Sequence, residues 1–454
     1  MKHRIVVRNV LTVLFISLLG AGVLKAQETR KISLKEAISL SIKNSKQLKG
    51  SQAKIDEATA ALREAVERRL PDAKVSGAYM RFNSPKVDLN IKSNNNNNNG
   101  GSGSSTGNTA KVTQAAYAMV NASLPIYAGG RIRYGIESSK YLEQAAKLDA
   151  DNDREAVVLN TIDAYNNLYK SRAAVDLVNQ NLQDARQRVK DFTNLEKNGV
   201  MARNDLLKAQ LQQSNTELSL LDAENNWKLA MVNMNLMLGL PDSTTLETDS
   251  TSMNSILETK NVQDYVIQAL QNRKDLSALD LRKKAAQTGV KATRADLYPS
   301  LALTGGYVAL DIPNALSVYN AVNIGLGVQY NIGSLWKTKA KIDQAEARQR
   351  QVQASEEQLA DGIRMEVNQA YLNYLSSQKK IEVYNTAIEQ AEENYKVTNN
   401  KFNNGLATVT DVLDADIARL QARLNRAFAQ SDTYVAYNKL LQSAGLLNQP
   451  NNQQ

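Results

Sequence analysis

Apolar residues recur every seven positions between residues 363 and 441, which predicts long coiled-coil helices. The first seam consists of Val367, Tyr374, Ile381, Ile388, Tyr395 and Phe402, and the second of Ile363, Ala370, Ser377, Tyr384 and Ala391. A turn at Asn403-Asn404-Gly405 interrupts the pattern. It restarts as Leu413, Ile417, Leu420, Leu424, Ala427, Tyr434 and Leu441. The stretch is therefore predicted to form an antiparallel helical hairpin.

The same hairpin occurs a second time, 206 residues earlier. The matching small residues are Ala164 with Ala370, Ser171 with Ser377 and Ala185 with Ala391. Both turns contain a glycine, and Asp205 corresponds to Asp411. Matching small residues are harder to obtain by chance than a shared period, so an internal duplication is predicted.

Each copy also has a short helix and two strands before its hairpin. In the first copy, a helix over 34–69 ends before a proline and precedes strands at 73–82 and 115–127. In the second copy, the strands are predicted at 300–310 and 321–332. An Asn-, Gly- and Ser-rich tract at 93–108 separates the first two strands and is predicted to be a solvated loop.

The chain therefore divides into five predicted segments. They are a signal peptide at 1–26, a first repeat at 27–241, a connector at 242–261, a second repeat at 262–447 and a disordered tail at 448–454.

The four predicted strands are long enough to cross a lipid bilayer when they are tilted. Four strands cannot close a barrel, and an open sheet edge in lipid would leave backbone groups without hydrogen bonds. A trimer would supply twelve strands, a number found among outer-membrane barrels. Aromatic residues near the strand ends are candidates for the membrane–water interface, namely Tyr127, Tyr298, Tyr330 and Trp336.

The N-terminal residues predict export. Three basic residues precede an apolar run from Leu11 to Leu24, which is shorter than the roughly 20 residues of a membrane-spanning helix. Cleavage near Ala26 would lower the net charge from +9 to +5. No basic stripe interleaved with aromatic residues is visible, so no nucleic-acid partner is expected.

Composition also limits the chemistry. The only histidine is His3, inside the predicted signal peptide, and the chain has no cysteine. Histidine-dependent triads, cysteine nucleophiles and the usual zinc sites are therefore excluded from the mature chain. No phosphate-binding or dinucleotide-binding fingerprint occurs. We expect no enzyme, and we predict no catalytic residue, metal site or cofactor.

The run from Lys401 to Ala415, KFNNGLATVTDVLDA, resembles the hairpin motif of the TolC-type outer membrane efflux proteins. Leu70-Pro71 and Tyr298-Pro299 before the first strand of each repeat, and Gly129 and Gly333 after the second, fit the same family. The resemblance implies a mainly α chain with a membrane β-barrel. It implies a homotrimer with a shared twelve-stranded barrel in the outer membrane lipid and a twelve-helix tunnel in the periplasm.

The implied function is that of an exit duct for a tripartite drug efflux pump or a type I secretion system. The implied partners are a periplasmic adaptor and an inner-membrane transporter. Family members contact the adaptor through the hairpin tips, here Gly199, Val200, Met201, Ala202, Asp205, Gly405, Leu406, Ala407, Thr408 and Asp411. Some relatives narrow the tunnel entrance with a ring of aspartates, whereas that level of this chain has Lys396 and Lys401 beside Glu392 and Glu393.

Two other classes of protein fit part of the pattern. A trimeric coiled-coil stalk or adhesin that conducts nothing would account for the export signal and the heptads, but not for two turns and two strand pairs. A periplasmic adaptor would have one helical hairpin and several small β domains. Channel currents in a planar bilayer would separate a duct from a stalk.

Overall fold

The computed structural model describes residues 29–83, 86–87, 110–249, 260–313 and 316–447. The predicted signal peptide, the Asn-rich loop and the C-terminal tail lie outside these ranges. In chain order the elements are β1 (Thr29–Ile32), α1 (Leu34–Asn44), α2 (Lys46–Glu67), β2 (Asp72–Arg81), β3 (Lys86–Val87), β4 (Ala110–Lys111), β5 (Gln114–Ala128), α3 (Arg131–Lys197), α4 (Arg203–Leu238), β6 (Thr245–Thr248), α5 (Val262–Asn272), α6 (Lys274–Arg294), a 3-10 turn (Ala295–Leu297), β7 (Ser300–Ile312), β8 (Leu316–Gln329), α7 (Ser334–Asn403) and α8 (Val409–Ser443). Among these described helices, none is both long enough and apolar enough to cross a membrane.

The chain divides into two compact units, each built from segments of both predicted repeats. The helical unit comprises the described parts of Met1–Gln52, Asp149–Leu276 and Leu359–Gln454. The sheet unit comprises the described parts of Ala53–Leu148 and Ser277–Gln358. The boundaries of the repeats stay a prediction.

The sheet unit contains an antiparallel sheet with the strand order β2-β5-β7-β8. Its register sorts the side chains onto two faces of different character. The apolar face includes Val75, Tyr79, Val120, Leu124, Leu301, Leu303, Tyr307, Val322, Ile324, Leu326 and Val328. The opposite face includes Asp72, Lys74, Ser76, Asn121, Ser123, Thr304, Gly306, Asn323, Gly325, Gly327 and Gln329. The first face is thus mainly apolar. The opposite face is small or polar near the strand ends that adjoin the helices, and it carries Tyr117, Met119, Val308 and Leu310 nearer the other end.

Strand β8 begins five residues before the predicted strand at 321–332 and ends three residues earlier. Asn320 has a φ of +60° and lies beside a register shift between Val308 and Leu310, so it breaks the alternation on which the prediction relied. At the other end, the backbone N–H of Gly333 donates to the Asn331 side chain at 3.1 Å. That hydrogen bond forms a turn into α7 where the prediction continued the strand.

The helical unit contains a short parallel sheet in addition to its helices. Strand β6, which lies in the region predicted as a connector, pairs with β1 from Thr29 opposite Thr245 onward. The buried Tyr165 hydroxyl donates to the Ile32 carbonyl at 2.9 Å and accepts from the Asp249 N–H at 2.8 Å. Helix α3 therefore holds the ends of both strands. Tyr165 also belongs to the largest apolar cluster of the described residues.

The prediction of one helix over 34–69 is wrong, because Ser45 separates α1 from α2. Arg273 separates α5 from α6 at the equivalent place, 228 residues later. Ser45 leaves the helical conformation with a ψ of 120°, and its hydroxyl accepts from the Leu48 N–H at 3.2 Å. Asn44 and Asn272, directly before the breaks, are weak helix formers, but neither break contains a glycine or a proline, which conceals both breaks in the sequence.

Candidate functional site

The first hairpin turn joins α3 to α4 through a glycine in the left-handed conformation. Gly199 has a φ of +73°, and its N–H donates to the Glu196 carbonyl at 2.9 Å. The N–H of Val200 donates to the Leu195 carbonyl, also at 2.9 Å. These bonds satisfy the last carbonyl groups of α3. Helix α4 then begins after Ala202, whose side chain makes no capping hydrogen bond.

The second turn repeats this geometry and adds a side-chain cap. Gly405 has a φ of +72°, and the Leu406 N–H donates to the Lys401 carbonyl at 2.8 Å. The Thr408 hydroxyl accepts from the Asp411 N–H at 3.3 Å, and the Asp411 carboxylate accepts from the Thr408 N–H at 2.8 Å. This reciprocal pair is a capping box. The Thr408 N–H, and after it the Thr408 hydroxyl, lowers the pKa of Asp411.

The two turns lie side by side in the folded chain. The rings of Phe192 and Phe402 are 5.3 Å apart between centroids. Met201 packs against the apolar cluster that contains Phe192. The Lys208 ammonium group lies 3.4 Å from the Thr410 hydroxyl, which connects the starts of α4 and α8. The structure thus brings both groups of predicted tip residues together.

Each turn exposes one apolar side chain. Val200 is 73% exposed and Leu406 is 76% exposed. The other exposed tip residues are Gly199, Ala202, Gly405, Thr408 and Asp411, while Met201, Asp205 and Ala407 are half-buried. A Cβ atom on Gly199 or Gly405 would meet no atom within 4 Å, so the positive φ, and not crowding, favours glycine at both positions.

A buried charged network lies on α3, α7 and α8, and sequence reasoning missed it. Asp416 is 3% exposed and accepts hydrogen bonds from Arg188 at 2.9 Å and Arg419 at 2.7 Å. Asn181 donates to the same carboxylate at 3.2 Å. Arg188 also donates to the Tyr395 hydroxyl at 3.3 Å, while its Nη1 has no hydrogen-bond partner among the described residues. Burial is the largest single influence and works against the charge of Arg188, but the attraction and hydrogen bonds of Asp416 and Tyr395 together outweigh it and raise the pKa of Arg188.

The positions of two of these polar residues in the heptad repeat gave an indirect sign of this network. Asn181 and Arg188 are seven residues apart and directly precede Leu182 and Val189, the first-hairpin counterparts of the seam residues Ile388 and Tyr395. Both polar residues therefore lie at the edge of a buried seam, where charged and amide side chains need partners. That position alone would not have identified Asp416 as the partner.

The four aromatic residues predicted for a membrane interface lie at the ends of the sheet strands. Ser300 pairs with the last residues of both β5 and β8, so Tyr127, Tyr298 and Tyr330 lie at one end of the sheet. Trp336 is the third residue of α7, which follows β8. The exposed fractions of the four side chains are 50% for Tyr127, 59% for Tyr298, 42% for Tyr330 and 66% for Trp336. Within the described residues, no group of three or more acidic or histidine side chains is placed to hold a metal ion.

Comparison with known proteins identifies relatives of the whole arrangement. The family model described as "Outer membrane efflux protein" matches residues 37–240 and 266–446. Outer membrane efflux protein BepC of Brucella suis biovar 1 is 23% identical over 403 residues, covering 88% of this chain and 87% of that protein. Cation efflux system protein CusC of Escherichia coli is 23% identical over 359 residues, covering 77% and 76%.

Solved structures share the fold at low sequence identity. The outer-membrane channel OprN superposes with a TM-score of 0.76 at 19% identity, covering 91% of this chain and 89% of that one. The Campylobacter jejuni CmeC outer membrane channel superposes with a TM-score of 0.73 at 16% identity, covering 91% and 86%. The predicted fold class, with long helices, four sheet strands and an internal duplication, is confirmed.

Proposed function

This chain belongs to the outer membrane efflux protein family, and we propose that it serves as the passive exit duct of a tripartite efflux pump or a type I secretion system. The family consists of TolC-type outer membrane channels and is not enzymatic. The two matches of the family model, over 37–240 and 266–446, support the proposed repeats at 27–241 and 262–447.

The uncovered apolar face of the sheet is the observation that carries the proposal. On β8, Val322, Ile324, Leu326 and Val328 point to this face and are between 68% and 81% exposed. An apolar surface of this kind is stable in lipid and unfavourable in water. The small and polar residues of the opposite face suit a water-filled lumen.

The edges of the same sheet require additional strands. Within the described residues, β2 and β8 each pair on one side only. A free edge in lipid leaves N–H and C=O groups unsatisfied, at a cost of several kcal/mol for each group. Three copies, with β8 of one chain paired to β2 of the next, would close a twelve-stranded barrel without a free edge.

The helical unit also has uncovered apolar side chains that suit a second copy of the chain. On α4 they are Leu207, Leu211, Leu218, Leu221, Leu229 and Leu236, each more than half exposed. On the part of α7 that belongs to the helical unit, the most exposed are Met365 and Leu372, at 73% and 64%, seven residues apart. A seven-residue spacing of exposed apolar side chains is typical of a helix that still needs a coiled-coil partner. We assign both stripes to contacts between subunits of the homotrimer.

The hairpin turns are the proposed contact surface for the periplasmic adaptor, which would connect the duct to the inner-membrane transporter. Val200 and Leu406 are the exposed apolar side chains on that surface. Apolar residues surrounded by polar ones are typical of the centre of a protein–protein contact. Changing both to aspartate should abolish capture of the adaptor in crosslinked cells and leave the trimer and its channel current unchanged.

Mass measurement in detergent followed by recording in planar lipid bilayers tests the duct itself. We expect a trimer that gives stepwise single-channel currents. A trimer that inserts without carrying current would indicate the non-conducting stalk. A monomer that stays dispersed without detergent would contradict the proposal altogether.

A further inference from the structure

Positive charge is concentrated directly beyond the aromatic end of the sheet. The twelve residues that adjoin each strand on this side are 60–71, 129–140, 288–299 and 330–341. Their basic residues, called here the basic collar, are Arg63, Arg68, Arg69, Arg131, Arg133, Lys140, Lys291, Arg294, Lys337, Lys339 and Lys341. All eleven are exposed. The collar is therefore available to a ligand from outside the chain.

Acidic residues do not neutralise the collar. The same four segments hold only four acidic residues, which leaves a net charge of +7, whereas the whole of residues 27–454 carries only +5. Three collar residues form ion pairs, namely Arg68 with Glu64, Arg131 with Asp296 and Arg294 with Glu346. The other eight form no ion pair with any described residue. Eight exposed cations thus lack an acidic partner in the described part of the chain.

The start of α7 shows the pattern most clearly. Trp336 is 66% exposed, and Lys337, Lys339 and Lys341 follow it at once. No acidic residue occurs between 330 and 341. An exposed tryptophan followed by lysines is the order expected where a surface passes from the acyl-chain boundary into the headgroup layer.

We propose that the basic collar binds the phosphate groups of anionic phospholipids in the adjoining leaflet. This inference rests on the proposed function, because it requires the apolar face of the sheet to lie in a membrane. The collar adjoins the sheet directly at the end that carries Tyr127, Tyr298 and Tyr330, so with the apolar face in the acyl-chain region these cations would lie near the headgroup layer. Each lysine or arginine near an anionic membrane surface adds to the attraction between the protein and that surface, so several such cations favour anionic over zwitterionic headgroups.

Trp336 provides a local readout of this binding. The chain has two tryptophans, and Trp227→Phe leaves Trp336 as the only one, which is excited selectively at wavelengths beyond tyrosine absorption. The full-length W227F protein is reconstituted into vesicles that contain either brominated phosphatidylglycerol or brominated phosphatidylcholine at the same mole fraction. We expect phosphatidylglycerol to quench Trp336 with a relative binding constant at least about threefold higher, and we expect 1 M salt to reduce that ratio.

Two triple variants of equal charge locate the binding. K337Q/K339Q/K341Q should bring the ratio close to one. K380Q/K396Q/K401Q removes the same charge at exposed positions at least 39 residues further along α7 and should leave the ratio unchanged. A preference that survives in the first variant would overturn the assignment.

The remaining outcomes separate this inference from the function on which it rests. Equal quenching by both lipids would overturn the proposed binding of anionic lipid by the basic collar. It would leave the proposed function as an exit duct standing. No quenching by either lipid would mean that the sheet does not lie in the membrane, so both proposals would fail. A single-stranded oligonucleotide that removes the preference at a lower phosphate concentration than the lipid would assign the collar to a soluble polyanion and overturn its binding to lipid.

Discussion

The Asn44 side chain donates a hydrogen bond to the Leu238 carbonyl at 2.6 Å, across 194 residues of sequence. Asn44 ends α1 and Leu238 ends α4, so the bond joins two helix ends within the helical unit. Gly239 follows with a φ of +70°. A Cβ atom there would lie 2.9 to 3.0 Å from the Asn44 side chain. The glycine is therefore required both by its backbone conformation and by its neighbour.

Gly239→Ala should destabilise the chain by roughly 1–3 kcal/mol, because alanine adds left-handed strain and a contact with Asn44. Chemical unfolding of the helical signal measures the change. Gly289→Ala is the matched control, since Gly289 lies inside α6 with open space around its Cβ position. The control should be neutral or stabilise by about 0.4–1 kcal/mol. Equal effects of the two substitutions would contradict the proposed role of Gly239 at the contact between the ends of α1 and α4.

The long helices were predictable because a buried seam repeats along each of them. Ile363, Val367 and Tyr374 were assigned to seams and are all buried. Each heptad thus repeats the same kind of buried contact, so the pattern can be recognised several times along one helix. The hydrogen bond from Asn44 to Leu238 and the four-residue strands β1 and β6 leave no periodic trace, so the sequence could not show them.

The sequence predicted the two turns of the candidate site but not the charged network around Asp416. The two turns carry glycine and a restarted heptad, which mark a reversal directly in the sequence. The Asp416 network joins three helices, and its partners are set by three-dimensional packing. A polar residue at the edge of a buried seam indicates that it needs a partner, but the sequence does not identify that partner.

Ile324→Lys should prevent stable insertion into the outer membrane. Ile324 is 81% exposed on the apolar face of β8, and a lysine near the bilayer midplane costs roughly 2–4 kcal/mol per subunit. Asn323→Lys is the matched control on the opposite face, where water is proposed to lie. Membrane fractionation and the yield of trimer measure both variants. Tolerance of lysine at 324 but not at 323 would reverse the assignment of the faces.

Asp416→Ala should destabilise the helical unit by roughly 3–5 kcal/mol, because it leaves Arg188 and Arg419 without their shared carboxylate. Unfolding by denaturant measures the loss. The control is Asp176→Ala, which breaks an exposed ion pair to Arg172 at 3.1 Å and should change stability by at most about 0.5 kcal/mol. A small effect at Asp416 would mean that water or a neighbouring subunit replaces the carboxylate.

Acidification should loosen the start of α8 through Asp411. The pKa of this carboxyl in the folded chain lies below its ordinary value of 3.8. Its contribution to stability is therefore fully present above that value and is lost as the pH falls through the lowered folded pKa. Hydrogen-exchange protection of the first turn of α8, corrected for intrinsic rates, should fall over this interval. Asp411→Asn should start lower at neutral pH and show a smaller fall.

The duplication predicts a stabilising substitution in the first turn. Ala202 precedes α4 with φ −75° and ψ 143°, close to the extended conformation of Thr408 before α8. Asp205 already occupies the place that Asp411 holds in the second turn, so Ala202→Thr would complete a capping box. We expect a gain of about 0.5–1 kcal/mol and slower amide exchange at the start of α4.

Ala202→Val is the control for this last substitution, because valine has the shape of threonine but no hydroxyl group to accept the backbone hydrogen bond. It should give no gain in stability. Asp205 also accepts a hydrogen bond from Lys208 at 3.1 Å, so the new cap competes with an existing partner. Because both side chains are flexible and partly solvated, the carboxylate can accept from Lys208 and from the backbone N–H at once. Equal stability of the threonine and valine variants would show that the Lys208 contact excludes the cap.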